Sequence, residues 1–81
     1  MTRDELRATV LRVLGEIAPE ADLASIDSEV GFREQLDLDS MDTLNFVVGL
    51  HSALGVEIPE VEYAKVATLH GCLDYLVAKV P

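Results

Sequence analysis

The feature that most limits what this chain can fold into is the spacing of its apolar residues after "TRDE" at residues 2–5. Leu6, Val10, Val13, Leu14 and Ile17 recur every three or four positions, the period of one helix face. Thr2 and Glu5 stand at capping-box spacing, so each side chain can meet the other's backbone N–H. Together they predict a first helix over about residues 3–17, ending near Ala18-Pro19 because a residue before proline avoids the helical region. No segment alternates with a period of two, and no internal repeat is visible.

Two more helices follow the same logic. Asp39 is a good N-cap for a helix over about 40–54, with Asp42 in its favourable first turn and Gly55 as its stop. Thr68 can cap a last helix whose apolar side is Leu69, Leu73, Leu76, Val77 and Val80. Between them, Pro59 marks the start of a short acidic helical segment. Residues 18–38 show no sustained period and are expected to form a long connection, pinned by Leu23, Ile26, Val30, Phe32, Leu36 and Leu38, with room for a short helical turn. The expected fold class is all-α: a small four-helix bundle of three long helices and one short third helix, with a long first loop. At 81 residues, one domain over 1–81 is the natural reading.

Composition narrows the function. Fifteen acids against six bases leave a net charge of −9, which excludes a nucleic-acid binder, since too few cations remain to neutralise a row of phosphates. The same balance disfavours an anionic membrane surface and favours basic protein partners. The N-terminal stretch is amphipathic and charged, with neither a signal-peptide core nor a membrane span, so no stable membrane insertion is expected. Cys72 stands alone and fits a reducing, cytoplasmic setting as a small core residue.

The chemistry concentrates in "QLDLDSMDTLNF", residues 35–46, where Ser40 lies between Asp39 and Asp42. A calcium loop starting at Asp37 lacks both its turn glycine, replaced by Asp42, and its bidentate glutamate, replaced by Val48. No metal site is therefore assigned. A Ser–His hydrolase pair fails on reach: Ser40 and His51 are 11 residues apart on one helix, hence roughly 16 Å along its axis. His51 and His70 read as surface residues. No catalytic residue is assigned. Two readings survive. Ser40 is part of an ordinary helix cap, or it is an exposed hydroxyl where an anionic group is attached beside unpaired N–H groups.

Residues 36–76 closely resemble the acyl carrier protein family. Its Asp-Ser-Leu/Met-Asp core is matched by Asp39-Ser40-Met41-Asp42, and its Ile-Pro start to the third helix by Ile58-Pro59. The step into its last helix is matched by Lys65-Val66-Ala67-Thr68-Leu69, and that helix's ending by Asp74-Tyr75-Leu76. The resemblance implies 4′-phosphopantetheine, taken from coenzyme A by a magnesium-dependent phosphopantetheinyl transferase and joined to Ser40. Acyl groups then ride on the arm's thiol as thioesters, and the carrier itself catalyses nothing. Asp39 and Asp42 would serve transferase recognition. Met41, Leu44, Asn45, Val48 and Glu60 would meet acyl-loading and acyl-processing enzymes through basic docking patches. Phe46, Val47, Leu50, Leu54 and Leu69 are the candidates for an acyl pocket. A monomer is expected.

Two departures from the family stand out. Asp37 occupies a position that is glycine in many members, so a different turn is expected there. On the second long helix, places usually held by glutamates read Asn45, His51, Ser52 and Ala53, while acids gather at Glu57, Glu60 and Glu62. That placement suggests a specialised fatty-acid, lipid or polyketide-type pathway. A peptidyl, aminoacyl or aryl carrier and an unmodified carrier-like binding module remain as alternatives.

Overall fold

The structure is a computed structural model that describes residues 1–80. Among the described residues every regular element is helical: α1 (Arg3–Ile17), α2 (Phe32–Gln35), α3 (Ser40–Leu54) and α4 (Leu69–Lys79), with a 3₁₀ turn at Leu23–Ser25 and a 3₁₀ helix at Glu60–Val66. Four of these have seven residues or more, which is the expected bundle.

Capping sets where the long helices begin. Thr2 Oγ1 accepts the Glu5 N–H at 3.1 Å, and Glu5 Oε1 accepts the Thr2 N–H at 2.8 Å. These bonds hold the Glu5 carboxyl below the usual carboxylate range. At α4, Thr68 Oγ1 accepts the Gly71 N–H at 3.0 Å. α3 stops at Gly55, whose φ of +68° is a left-handed conformation that costs glycine little.

α1 packs against both α3 and α4 through the fully buried Leu6, Val10 and Leu14. The α1–α3 approach depends on Gly49, where an added methyl would stand 2.6 Å from Val13 Cγ1. α4 also packs on the 3₁₀ helix, and this second neighbour turns its buried arc. Cys72 and Tyr75 lie inside it, while Val77, expected on the apolar side, is 49% exposed. The Tyr75 hydroxyl donates to Glu62 Oε1 at 2.8 Å, tying α4 to the 3₁₀ helix.

The long connection is more ordered than its lack of period suggests. Phe32 and Leu38 are buried, and Leu23, Ile26 and Leu36 are partly buried against the core. Backbone bonds from Phe32 N–H to Ala67 C=O (2.8 Å) and from His70 N–H to Ser28 C=O (3.0 Å) fasten it to the start of α4. The Gln35 amide closes the loop internally, donating to the Asp27 and Val30 carbonyls at 2.8 Å each. The consequence for function is that α2 is held beside the first turn of α3.

Candidate functional site

Ser40 is the first residue of α3 and is exposed. The cap belongs to its neighbours. Asp39 Oδ1 accepts the Asp42 N–H at 2.8 Å, and Asp42 Oδ2 accepts the Asp39 N–H at 3.2 Å. The Thr43 hydroxyl adds a bond to the Asp39 carbonyl at 3.0 Å. With both aspartates engaged, the Ser40 hydroxyl makes no hydrogen bond among the described residues and is left for chemistry. The reciprocal part played by Asp42 was readable from an acid three places after a capping acid, a pattern the glutamate form of the box makes easy to overlook.

The approach to Ser40 is a strained turn. Asp37 has a φ of +54°, the left-handed region that glycine occupies freely and that aspartate tolerates better than most residues. Asp37 thus holds a conformation open to glycine at the position where many family members carry one. The next residue is fixed from both sides: Leu38 N–H donates to the Arg33 carbonyl at 3.1 Å, and Arg33 Nε donates to the Leu38 carbonyl at 3.4 Å.

A cleft of about 320 Å³ opens beside this turn, between α2, the first two turns of α3 and the 3₁₀ helix. Its walls are apolar: Phe32, Leu38, Phe46, Val47, Tyr63 and Val66. Phe32 and Phe46 meet edge-to-face, with ring centroids 5.3 Å apart. Arg33, Glu34 and Thr43 supply polar atoms to its lining. Of the expected pocket residues, Phe46 and Val47 line this cleft. Leu50 and Leu69 are sealed in the core and Leu54 is half-buried, and none of the three lines it. Phe32, Leu38 and Tyr63 were not foreseen as lining residues, because they come from segments without helical period and meet only through tertiary packing.

Of the expected docking residues, Met41, Leu44, Asn45 and Val48 fall on one accessible surface of α3. Met41 is 62%, Leu44 43% and Val48 53% exposed, an apolar ridge running away from Ser40 at helical spacing, with Asn45 also exposed. Beyond it lies a second groove of about 240 Å³, lined by Leu44, Val47, Val48 and Tyr63 among others. Glu60 is exposed at the start of the 3₁₀ helix, next to Val61 at 91%.

Among the described residues, no nucleophile–base pair forms around the serine. His51 Nδ1 lies 3.1 Å from the Val56 carbonyl, and His70 is held by Glu29 at 2.6 Å and Asp74 at 3.4 Å. Cys72 is fully buried, and burial pushes its thiol up to about 12, so it is held as an inert thiol at neutral pH. Among the described residues, no helix is long and apolar enough to cross a membrane.

Comparison with known proteins agrees with the geometry. The family described as phosphopantetheine attachment site matches residues 4–76. A protein described as acyl carrier protein, from Rubrobacter xylanophilus, is 34% identical over 74 residues, covering 88% of this chain and 91% of that protein. Among solved structures, the acyl carrier protein from Enterococcus faecalis superposes with a TM-score of 0.80, covering 96% of this chain and 98% of the other. At 24% identity that likeness speaks for the fold.

Proposed function

This chain belongs to the acyl carrier protein family, whose prosthetic group is 4′-phosphopantetheine, and on that premise we propose that residues 1–81 act as one carrier unit with the arm attached at Ser40. The observation that carries the assignment is the division of labour at the start of α3: Asp39 and Asp42 cap the helix, and the Ser40 hydroxyl is exposed and unbonded.

The residues present fit the group. The N–H groups of the first helical turn lack intrahelical acceptors and lie at the positive end of the α3 dipole, favourable for a phosphodiester on Ser40. The arm supplies a thiol on which acyl groups are held as thioesters. Asp39 and Asp42 present carboxylates on either side of Ser40 and serve recognition by the transferase. The cleft walled by Phe32, Phe46 and Val47 shelters the cargo. Its volume of about 320 Å³ stands at the lower end of the ~300–1,000 Å³ usual for ligand pockets, which suits a short or medium acyl chain. Met41, Leu44, Asn45 and Val48 form the docking surface, with Glu60 meeting basic groups on the partner.

The pathway reading follows from charge placement. Downstream of Asp42, α3 carries no further acid, whereas Glu57, Glu60 and Glu62 lie on or beside the 3₁₀ helix. A partner whose cations are arranged for a uniformly acidic α3 meets this carrier less well. We therefore assign the carrier to a dedicated fatty-acid, lipid or polyketide-type pathway in the cytosol rather than to general fatty-acid synthesis.

The test is intact-mass measurement after incubation with coenzyme A, magnesium and a broad-specificity phosphopantetheinyl transferase, with a known carrier alongside. A phosphopantetheine increment in the wild type that is absent from Ser40→Ala supports the assignment. An unmodified wild type beside a modified control overturns it.

A further inference from the structure

Among the described residues, Arg33 is the only cation lining the cleft, and it is paired with no carboxylate. Of the six bases, three form ion pairs with carboxylates among the described residues, and Arg7, Arg33 and Lys79 do not. Arg3 is bonded to Asp74, Arg12 to Glu16 and Lys65 to Glu62. Arg33 instead gives Nε to the Leu38 carbonyl, two residues before Ser40, while its own carbonyl accepts the Leu38 N–H. The side chain is thereby tethered to the attachment turn, and its two Nη groups have no partner among the described residues. Such a fork of free N–H groups matches two oxygens of a phosphate or carboxylate.

From this we propose that Arg33 binds the phosphodiester of the prosthetic arm and turns the arm toward the cleft, acting as a positioning residue. The inference rests on attachment at Ser40. Two arguments favour the phosphodiester over a carboxylate at the cargo's far end. The phosphate is fixed covalently near the turn that holds Arg33, so its effective concentration there is high, whereas a group at the arm's end must be ordered over the arm's full length. Asp37, Asp39 and Asp42 otherwise surround the phosphate with negative charge, and Arg33 is the cation tied to the same turn. Holding the phosphate at the rim also directs the arm into the apolar walls instead of away along α3.

The test uses the full chain in apo and holo forms, with intact mass establishing the state of each sample. On conversion to holo, the Arg33 Nε–Hε signal, identified by its loss in Arg33→Gln, shifts and exchanges more slowly with solvent. The signals of Arg3, Arg7 and Arg12 stay put. In the holo protein the ³¹P resonance moves in Arg33→Gln, returns part of the way in Arg33→Lys, and is unchanged in Arg7→Gln. Circular dichroism confirms that each variant is folded. A holo mass with an unmoved Arg33 signal and an unmoved ³¹P resonance overturns this inference alone. A response seen only when the arm carries a carboxylate-ended cargo, such as a succinyl thioester, also overturns it. Failure to gain the holo mass overturns the attachment itself, a different result.

Discussion

Asp39 and Asp42 each accept the other's backbone N–H, at 2.8 and 3.2 Å, and so close the start of α3 without using the serine between them. Capping and modification thus fall to different side chains. Ser40→Ala is expected to change stability by less than about 0.5 kcal/mol, as for an exposed residue without partners. Asp39→Ala removes a cap and is expected to cost about 1 kcal/mol. Urea denaturation of the two apo variants checks the ordering, and a Ser40→Ala loss as large as that of Asp39→Ala contradicts it.

The left-handed Asp37 sets up a second comparison. Its φ of +54° strains an L-residue, though aspartate less than most. Asp37→Gly relieves the strain but loosens the unfolded chain, so the two effects oppose each other and the net change is expected to stay within about 0.5 kcal/mol. Asp37→Val places a β-branched side chain where it fits worst and is expected to destabilise by about 1–2 kcal/mol. Equal midpoints for the Gly and Val variants in urea would mean that the turn does not hold this conformation.

A third prediction concerns acid. The Glu62 carboxyl lies below its ordinary value of 4.5, first because the Tyr75 hydroxyl donates to it and then because of Lys65. A depressed folded value means that Glu62 contributes stability above its unfolded value and loses it as pH falls through the folded one. Tyr75 is raised above 10.0, mainly by burial and secondarily by Glu62, so its contribution is present below 10.0 and lost as pH rises through the folded value. Tyr75→Phe is therefore expected to be less stable than the wild type at neutral pH, with the gap narrowing as Glu62 protonates below about 4.5. Carbon-13 titration of the Glu62 carboxyl should show its midpoint rising toward 4.5 in Tyr75→Phe. An unchanged midpoint removes the hydroxyl as the leading cause.

These sites differ in how far sequence reveals them. The bounds of α1 and α3 were legible because capping residues and stop residues are local: Thr2 with Glu5, Asp39, and Gly55. The Asp-Ser pair was visible for the same reason. The cleft was not, since Phe32 reaches Phe46 only after the 18–38 connection is fastened to Ala67 and His70 by backbone bonds that no periodicity announces. Arg33 looks in the sequence like one surface charge among many. Its meaning comes from its grip on Leu38. Val77 failed for a related reason, because the 3₁₀ helix draws Tyr75 inward and leaves Val77 outside.

The last prediction separates docking from folding along α3. Met41, Leu44 and Val48 are apolar side chains left largely open to solvent, so replacing them removes far less buried area than a core residue and should change stability by less than about 1 kcal/mol each. Phe46, on the same helix but 3% exposed and packed on Phe32, is different: Phe46→Ala is expected to cost about 3–5 kcal/mol. If the ridge is the docking surface, Leu44→Asp should keep its thermal midpoint yet lower the transferase's kcat/KM for this carrier about tenfold, the equivalent of ~1.4 kcal/mol at one desolvated contact. Asp42 lies one turn's reach from the same ridge and already serves the cap, so Asp42→Asn should lower kcat/KM and stability together. Leu44→Asp, by contrast, should lower kcat/KM alone. A Leu44→Asp protein that is modified at the wild-type rate would mean that the transferase approaches Ser40 from another side, and would leave the ridge without its assigned part.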